Sequence, residues 1–340
     1  MKVVNAMFGC GLGGIEQALV DYCEALRLRG HEPVAIVHPE AEVRTALKLR
    51  AIPFYTLSNA GAWDPIAIFR LKGLIERIAP DVCIAHGNRA VSLLSRAVPK
   101  RRIVGAMHNY KINFGKLRFV FYPTQDLLHH VNKGEMEGKE LYHVPNLVRL
   151  PEEIPERKWR DPPVIGAMGR FVAKKGFDLF IESLAVLKTR DIAFRAVIAG
   201  DGEEAEALKK LAAEKGLSDQ LEFLGWAGDK QAFFDAIDLF CMPSHHEPFG
   251  IVLLEAMAQG LPVVATRSEG PSEIIHDGKD GVLVDKADPV LLADALTDML
   301  AVPPRAQVLA LGGYNTAKTY YDLPVVADKL DLALRALCRV

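Results

Sequence analysis

At 340 residues the chain is longer than one hydrophobic core usually serves, and its 50% apolar and 25% charged content excludes a disordered or fibrous protein. The net charge of -2 gives no sign of a nucleic-acid partner. Five cysteines, at 10, 23, 83, 241 and 338, form no Cys-x-x-Cys pair, so their spacing suggests neither a disulfide framework nor a zinc site and fits a reducing, cytoplasmic setting.

The first eight residues are apolar but run into Gly9 and Gly11, too soon for a signal peptide or a membrane span, and they read as a strand. Buried strands are predicted at Val3 to Phe8, Val34 to Val37, Val82 to Ala85 and Ile103 to Met107. Between the first two, Ile15 to Arg29 carries Ala18, Leu19, Tyr22 and Leu26 at helical spacing and stops at Gly30. The alternation lapses from Val148 to Pro163, where four prolines and a run of charges oppose regular structure.

A second series of strands follows: Val164 to Met168, Ala193 to Ala199, Leu221 to Leu224, Leu239 to Met242, Val263 to Ala265 and Val282 to Val284. Near the end, Val326, Leu330, Leu334 and Leu337 share one helical stripe, which predicts a helix that returns to the first half. The pattern is α/β, with a parallel sheet in each of two Rossmann-like domains. The expected domains are 1–150, joined by a C-terminal helix at about 318–340, and 164–317, with a linker at 151–163.

Charge divides unevenly. Residues 1–150 hold 20 Lys+Arg against 13 Asp+Glu, a balance of +7, whereas 151–340 hold 21 against 30, a balance of -9. Lys100, Arg101, Arg102, Lys111, Lys116 and Arg118 crowd together, which suits a solvated face, an anionic lipid surface or an acidic acceptor.

Glycines at Gly9, Gly11, Gly13 and Gly14 fall between a predicted strand and a helix, where backbone amides can approach a phosphate. The same spacing suits a dinucleotide, and Glu40, after the second strand, suits its ribose. After the first strand of the second half come Gly169, Arg170 and Lys175, cations at the carboxyl edge where open α/β sheets bind ligands. Gly200 and Asp201 open another turn at that edge. The most informative stretch runs from Pro243 to Glu255. A predicted helix, Phe249 to Ala258, leaves unpaired amides near Phe249, Gly250 and Ile251 for phosphate or sugar oxygens. Glu247 then lies above the helix start and Glu255 about two turns inside, each able to accept from sugar or ribose hydroxyls.

These residues resemble the family four retaining glycosyltransferases of the GT-B fold, in which two Rossmann-like domains face across a cleft. The likeness runs over nearly the whole chain: Gly13 to Glu16, Gly169 to Phe171 with Lys175, Ala199 to Gly202, Phe223 to Gly225, Pro243 to Gly250 with Glu255, Gly260 to Val264 and Gly270 to Ile274, in that order. By this resemblance Arg170 and Lys175 grip a donor diphosphate, Glu255 holds the ribose, and Glu247 with the backbone of Phe249 to Ile251 holds the transferred sugar. Leu224 lies beside the base, the Gly13–Gly14 loop closes over donor and acceptor, and His108 touches the donor sugar. The chain departs from the pattern at Glu269-Gly270, where many members have two glycines. It contains no Asp-x-Asp, in keeping with a diphosphate held by cations and helix amides without metal or cofactor.

The expected donor is a UDP- or GDP-linked sugar, and the basic first half hints at a glycan or lipid-linked acceptor, such as a lipopolysaccharide core, held at the inner face of the cytoplasmic membrane. Two other readings stay open at this stage: a nicotinamide-dependent dehydrogenase built on the first glycine turn, and a non-catalytic sugar-nucleotide sensor.

Overall fold

The computed structural model describes residues 1–11, 13–110, 113–115, 117–130, 136–226 and 229–338. It divides into two units, Met1–Leu147 with Asp322–Val340, and Val148–Tyr321. In the first, seven strands form one sheet: β1 (Lys2–Met7), β2 (Glu32–Val37), β3 (Phe54–Thr56), β4 (Val82–His86), β5 (Ile103–Ala106), β6 (Phe119–Tyr122) and β7 (Glu140–His143). Their order is β3-β2-β1-β4-β5-β6-β7, and every pairing is parallel. The second unit holds β8 (Val164–Met168), β9 (Arg195–Ala199), β10 (Leu221–Gly225), β11 (Leu239–Met242), β12 (Val263–Thr266) and β13 (Val282–Val284), in the order β10-β9-β8-β11-β12-β13, again all parallel.

Parallel strands need crossover helices on the sheet faces, and these bury apolar side chains on both sides. In the second unit one core gathers Phe177, Phe180 and Leu184 of the helix Phe177–Thr189 with Leu292 and Leu296 of Pro289–Ala301. The opposite core gathers Leu253, Leu254 and Met257 of Ile251–Ala258 with Phe233 and Phe240. The helix Leu323–Cys338 packs in the first unit, where Val326, Leu330 and Leu334 meet Tyr22 and Leu26 of Gly14–Leu28.

β6 forms from an apolar run that the expected strands omit, and two further short strands, β3 and β7, were not legible in the sequence at all. β3 is a three-residue edge strand, and β7 carries the polar sequence Glu140-Leu141-Tyr142-His143, so neither shows a buried apolar run. The segment 151–163, expected to be the linker, lies within the second unit. Arg157 donates to the carbonyls of Gln259 and Phe234 at 2.8 Å, Arg160 pairs with Asp238 at 2.8 Å, and Trp159 packs against the core. Prolines kept it irregular, but its charged side chains anchor it. Of the basic cluster, Lys111 and Lys116 lie outside the described residues.

Candidate active site

In each unit the strand order reverses beside its first strand, between β1 and β4 and between β8 and β11. Helices leave on opposite faces at such a switch point, which opens a crevice at the carboxyl ends of the two strands. In the second unit the residues leaving β8 are Gly169 to Gly176 and those leaving β11 are Pro243 to Gly250. The sheet therefore brings together two motifs about seventy positions apart in the chain.

Backbone bonds tie these turns to each other. The His246 amide donates to the Lys174 carbonyl at 3.1 Å, and Phe171 donates to the Asp201 carbonyl at 2.8 Å. Gly200 donates to the Gly225 carbonyl at 2.7 Å, which sets the Gly200 turn against the end of β10, where Leu224 is 42% exposed. At Gly200 φ is +151°, and an added Cβ would lie 1.9 Å from the Gly169 oxygen, so only glycine lets the two turns meet. Asp201 is exposed, and one of its carboxylate oxygens accepts from the Gly202 amide at 2.8 Å.

Lys175 forms an ion pair with the nearly buried Glu247, so the cation read as a diphosphate grip and the carboxylate read as a sugar ligand share one place. Arg170 is exposed at the head of the same turn. A second layer holds Glu247 from behind. The Glu269 carboxylate accepts from the Glu247 amide at 3.0 Å and from Lys286 at 3.0 Å, and it pairs with His246 at 3.1 Å. Burial opposes its ionisation, but the backbone amides, Lys286 and His246 outweigh that and hold the pKa at about 2. The departure from a glycine pair at Glu269-Gly270 is thus explained: the carboxylate fastens the loop that carries Glu247.

The helix expected from Phe249 begins instead at Ile251, with Gly250 as its N-cap. The Phe249 side chain is core, 5% exposed and edge-on to Tyr321 at 6.0 Å, so only its backbone can reach a ligand. The later start leaves Glu255 just over one turn inside the helix, not two. Lys230 donates to both Glu255 oxygens, at 2.7 and 2.8 Å. Sequence reasoning missed Lys230, as it missed the bracing by Lys286. Each is an isolated lysine, with no motif to distinguish it from a surface charge.

In the first unit Gly13 caps the helix Gly14–Leu28 with extended backbone, a conformation open to any residue. His108 follows β5, and its Nε2 lies 2.9 Å from His86 Nδ1, while His86 Nε2 lies 3.1 Å from Asn5 Oδ1. The three residues come from β1, β4 and the end of β5, beside the switch point. Burial lowers the His108 pKa to about 4; burial and His108 hold His86 well below 6.5.

A pH dependence follows from these depressed values. The unfolded chain binds these protons more readily, so stability is full at neutral pH and falls as pH drops from 6.5 toward 4. Urea unfolding across that window is expected to show a loss of order 1–3 kcal/mol that shrinks in His108→Asn. An unchanged slope in the variant would remove His108 from the account.

Two α/β units of this strand order, with cations, carboxylates and a helix start at one switch point, define an enzyme of group transfer built on the GT-B fold. Residues 151–316 match the family Glycosyl transferases group 1, and residues 12–135 match Glycosyltransferase Family 4. Among curated proteins the chain is 33% identical over 351 residues to the lipopolysaccharide core biosynthesis glycosyltransferase LpsE of Rhizobium meliloti, spanning 96% of this chain and 97% of that one. It is 29% identical to LpsD of the same organism, over 100% of both. Among solved structures it superposes on Anabaena Alr3699/HepE, crystallised with UDP and glucose, with a TM-score of 0.84 at 18% identity, covering 99% and 100% of the two chains. The chain belongs to the family four glycosyltransferases.

That membership sets aside the dehydrogenase reading of the first glycine turn and the reading as a non-catalytic sensor. Glu40 lies instead beside Cys10 and His38, their potential ligand atoms all within 4.8 Å of one another. Among the described residues no helix is long and apolar enough to cross a membrane.

Proposed function

We propose that the protein transfers a hexose-type sugar, with retention, from a UDP- or GDP-sugar to a glycan or lipid-linked acceptor in lipopolysaccharide core synthesis at the cytoplasmic face of the membrane. The observation that carries this reading is the meeting of Lys175, Glu247 and the Gly250 helix start at the switch point between β8 and β11. The names of the two Rhizobium relatives support the pathway, and the UDP and glucose crystallised with the Anabaena protein support the class of donor.

In this mechanism the sugar C1–O bond to the diphosphate breaks as the acceptor oxygen bonds to C1 on the same face, and the acceptor proton leaves with the departing diphosphate. Arg170, Lys175 and the amides at Gly250 and Ile251 stabilise the charge that develops on the leaving group. Lys175 is shared between Glu247 and the diphosphate, so donor binding loosens its hold on the carboxylate and lets Glu247 accept from a sugar hydroxyl. The proposed transfer uses no metal or further cofactor, these cations and amides meeting the charge on the leaving group. His108 and the Gly13–Gly14 turn serve the donor sugar and the acceptor from the first unit, whose basic balance suits an anionic lipid surface.

Glu255 is assigned to the ribose and Lys230 to holding it. Glu255→Ala is expected to weaken nucleoside-diphosphate binding by about ten- to a hundredfold, the worth of one or two charge-assisted hydrogen bonds. Calorimetric titration with UDP and GDP measures it, and unchanged affinity would remove the ribose assignment. Screening nucleotide sugars for donor hydrolysis identifies base and sugar.

A further inference from the structure

In the first unit the helix Pro65–Ile78 divides sharply. Ala67, Leu71, Leu74, Ile75 and Ile78 enter the core, while Ile66, Phe69, Arg70, Gly73 and Arg77 share the opposite stripe by their spacing. Trp63, just before the helix, is 75% exposed, Ile66 63% and Phe69 79%. Single exposed apolar residues are ordinary, but Ile66 and Phe69, three apart on the helix, adjoin on one face, and Trp63 stands exposed in the loop that leads into it.

This patch is presented on a fixed support. The Asp64 side chain accepts from the amides of Ile66, Ala67 and Ala60 at 2.9 to 3.0 Å, and Ser92 donates to the Ala62 carbonyl at 2.8 Å. The Arg96 guanidinium lies 3.5 Å over the Trp63 ring while bonding to Ser92. Arg77 lies over Tyr55. The local acids are Asp64, whose oxygens face backbone amides, and Glu76 on the flank.

We infer that this helix start is a lipid-docking wedge: Trp63, Ile66 and Phe69 enter the interfacial layer of an anionic bilayer, and Arg70, Arg77 and Arg96 meet its phosphates. An amphipathic aromatic ring beside arginines, just ahead of an outward apolar helix face in a unit with a balance of +7 over residues 1–150, matches the chemistry of that layer. The wedge lies on the connection leaving the carboxyl end of β3, the sheet edge from which the Gly9–Gly14 turn also leaves β1. The short turn Lys100–Arg102 precedes β5 and so belongs to the opposite edge. The inference deepens the proposed use of a lipid-linked acceptor and rests on that reading only for the purpose of docking.

Co-sedimentation with vesicles of equal parts phosphatidylcholine and phosphatidylglycerol tests it. The intact protein is expected to bind, more weakly to phosphatidylcholine alone, and Phe69→Asp is expected to lower the partition coefficient about tenfold or more. Because Phe69 is exposed, the variant should keep its melting temperature and its turnover on a soluble acceptor, while Arg102→Glu keeps vesicle binding. Tryptophan quenching by lipids brominated on their acyl chains should fall in Trp63→Phe. Failure of the intact protein to bind, wild-type binding by Phe69→Asp, or a lipid-free dimer that Phe69→Asp dissociates would overturn the proposal. Absent donor turnover in the intact protein would instead sink the proposed function and leave vesicle binding in place.

Discussion

Lys175→Ala is expected to lower kcat/KM by about a hundred- to a thousandfold, because it removes the fixed positive charge proposed to meet the leaving diphosphate. It should also cost about 1–3 kcal/mol of stability, since Glu247 is only 8% exposed and would be left without its cation. The two effects are separable. In Lys175→Ala/Glu247→Gln the uncompensated charge is gone, so stability should recover most of the loss while turnover does not. Lys175→Arg should keep stability but lose part of the rate, because a planar fork does not replace a compact ammonium in one pocket. Donor kinetics and urea unfolding of the four proteins measure both quantities. If the alanine variant turns over at the wild-type rate, the diphosphate grip lies elsewhere.

Gly270→Ala should be nearly as damaging, by a different route. An added Cβ there would lie 2.0 Å from the Phe249 oxygen and 2.4 Å from its Cα, both backbone atoms that cannot swing aside. The Gly270 amide also donates to the Glu247 carbonyl at 2.7 Å, so the methyl would force apart the loop that holds Glu247 and the helix start. A loss of about 2–4 kcal/mol in stability is expected, with donor affinity lowered at least about tenfold in the folded fraction. Thermal unfolding and calorimetric titration with nucleoside diphosphate check it. Wild-type stability and affinity would show that the loop has slack that the contacts above deny.

Much of this site was legible in one dimension. Strand β8 followed by Gly169, Arg170 and Lys175, and β11 followed by Glu247 and Gly250, could be placed because a strand end, a glycine and a charge occur within a few positions of one another. The helix start was misplaced by two residues because Phe249 looks like a helical core residue. In fact it is buried against Tyr321, which lies seventy-two positions away and which local periodicity cannot sense. Lys230, Lys286 and Ser92 carried no signal for the same reason: each acts on a partner at least seventeen residues distant in the chain.

The amino-acid order alone determined the two α/β units, their parallel strands, the family and the short list of charged residues at strand ends, since all of these are written in local spacing and composition. Tertiary structure alone decided that Lys175 is paired with Glu247, that Glu269 fastens the loop in place of a glycine, that 151–163 packs on the second unit, and that Trp63, Ile66 and Phe69 face outward. Pairing and exposure depend on which surfaces crossover connections bring together, and that is settled by the packing of whole elements and not by the neighbours of any one residue.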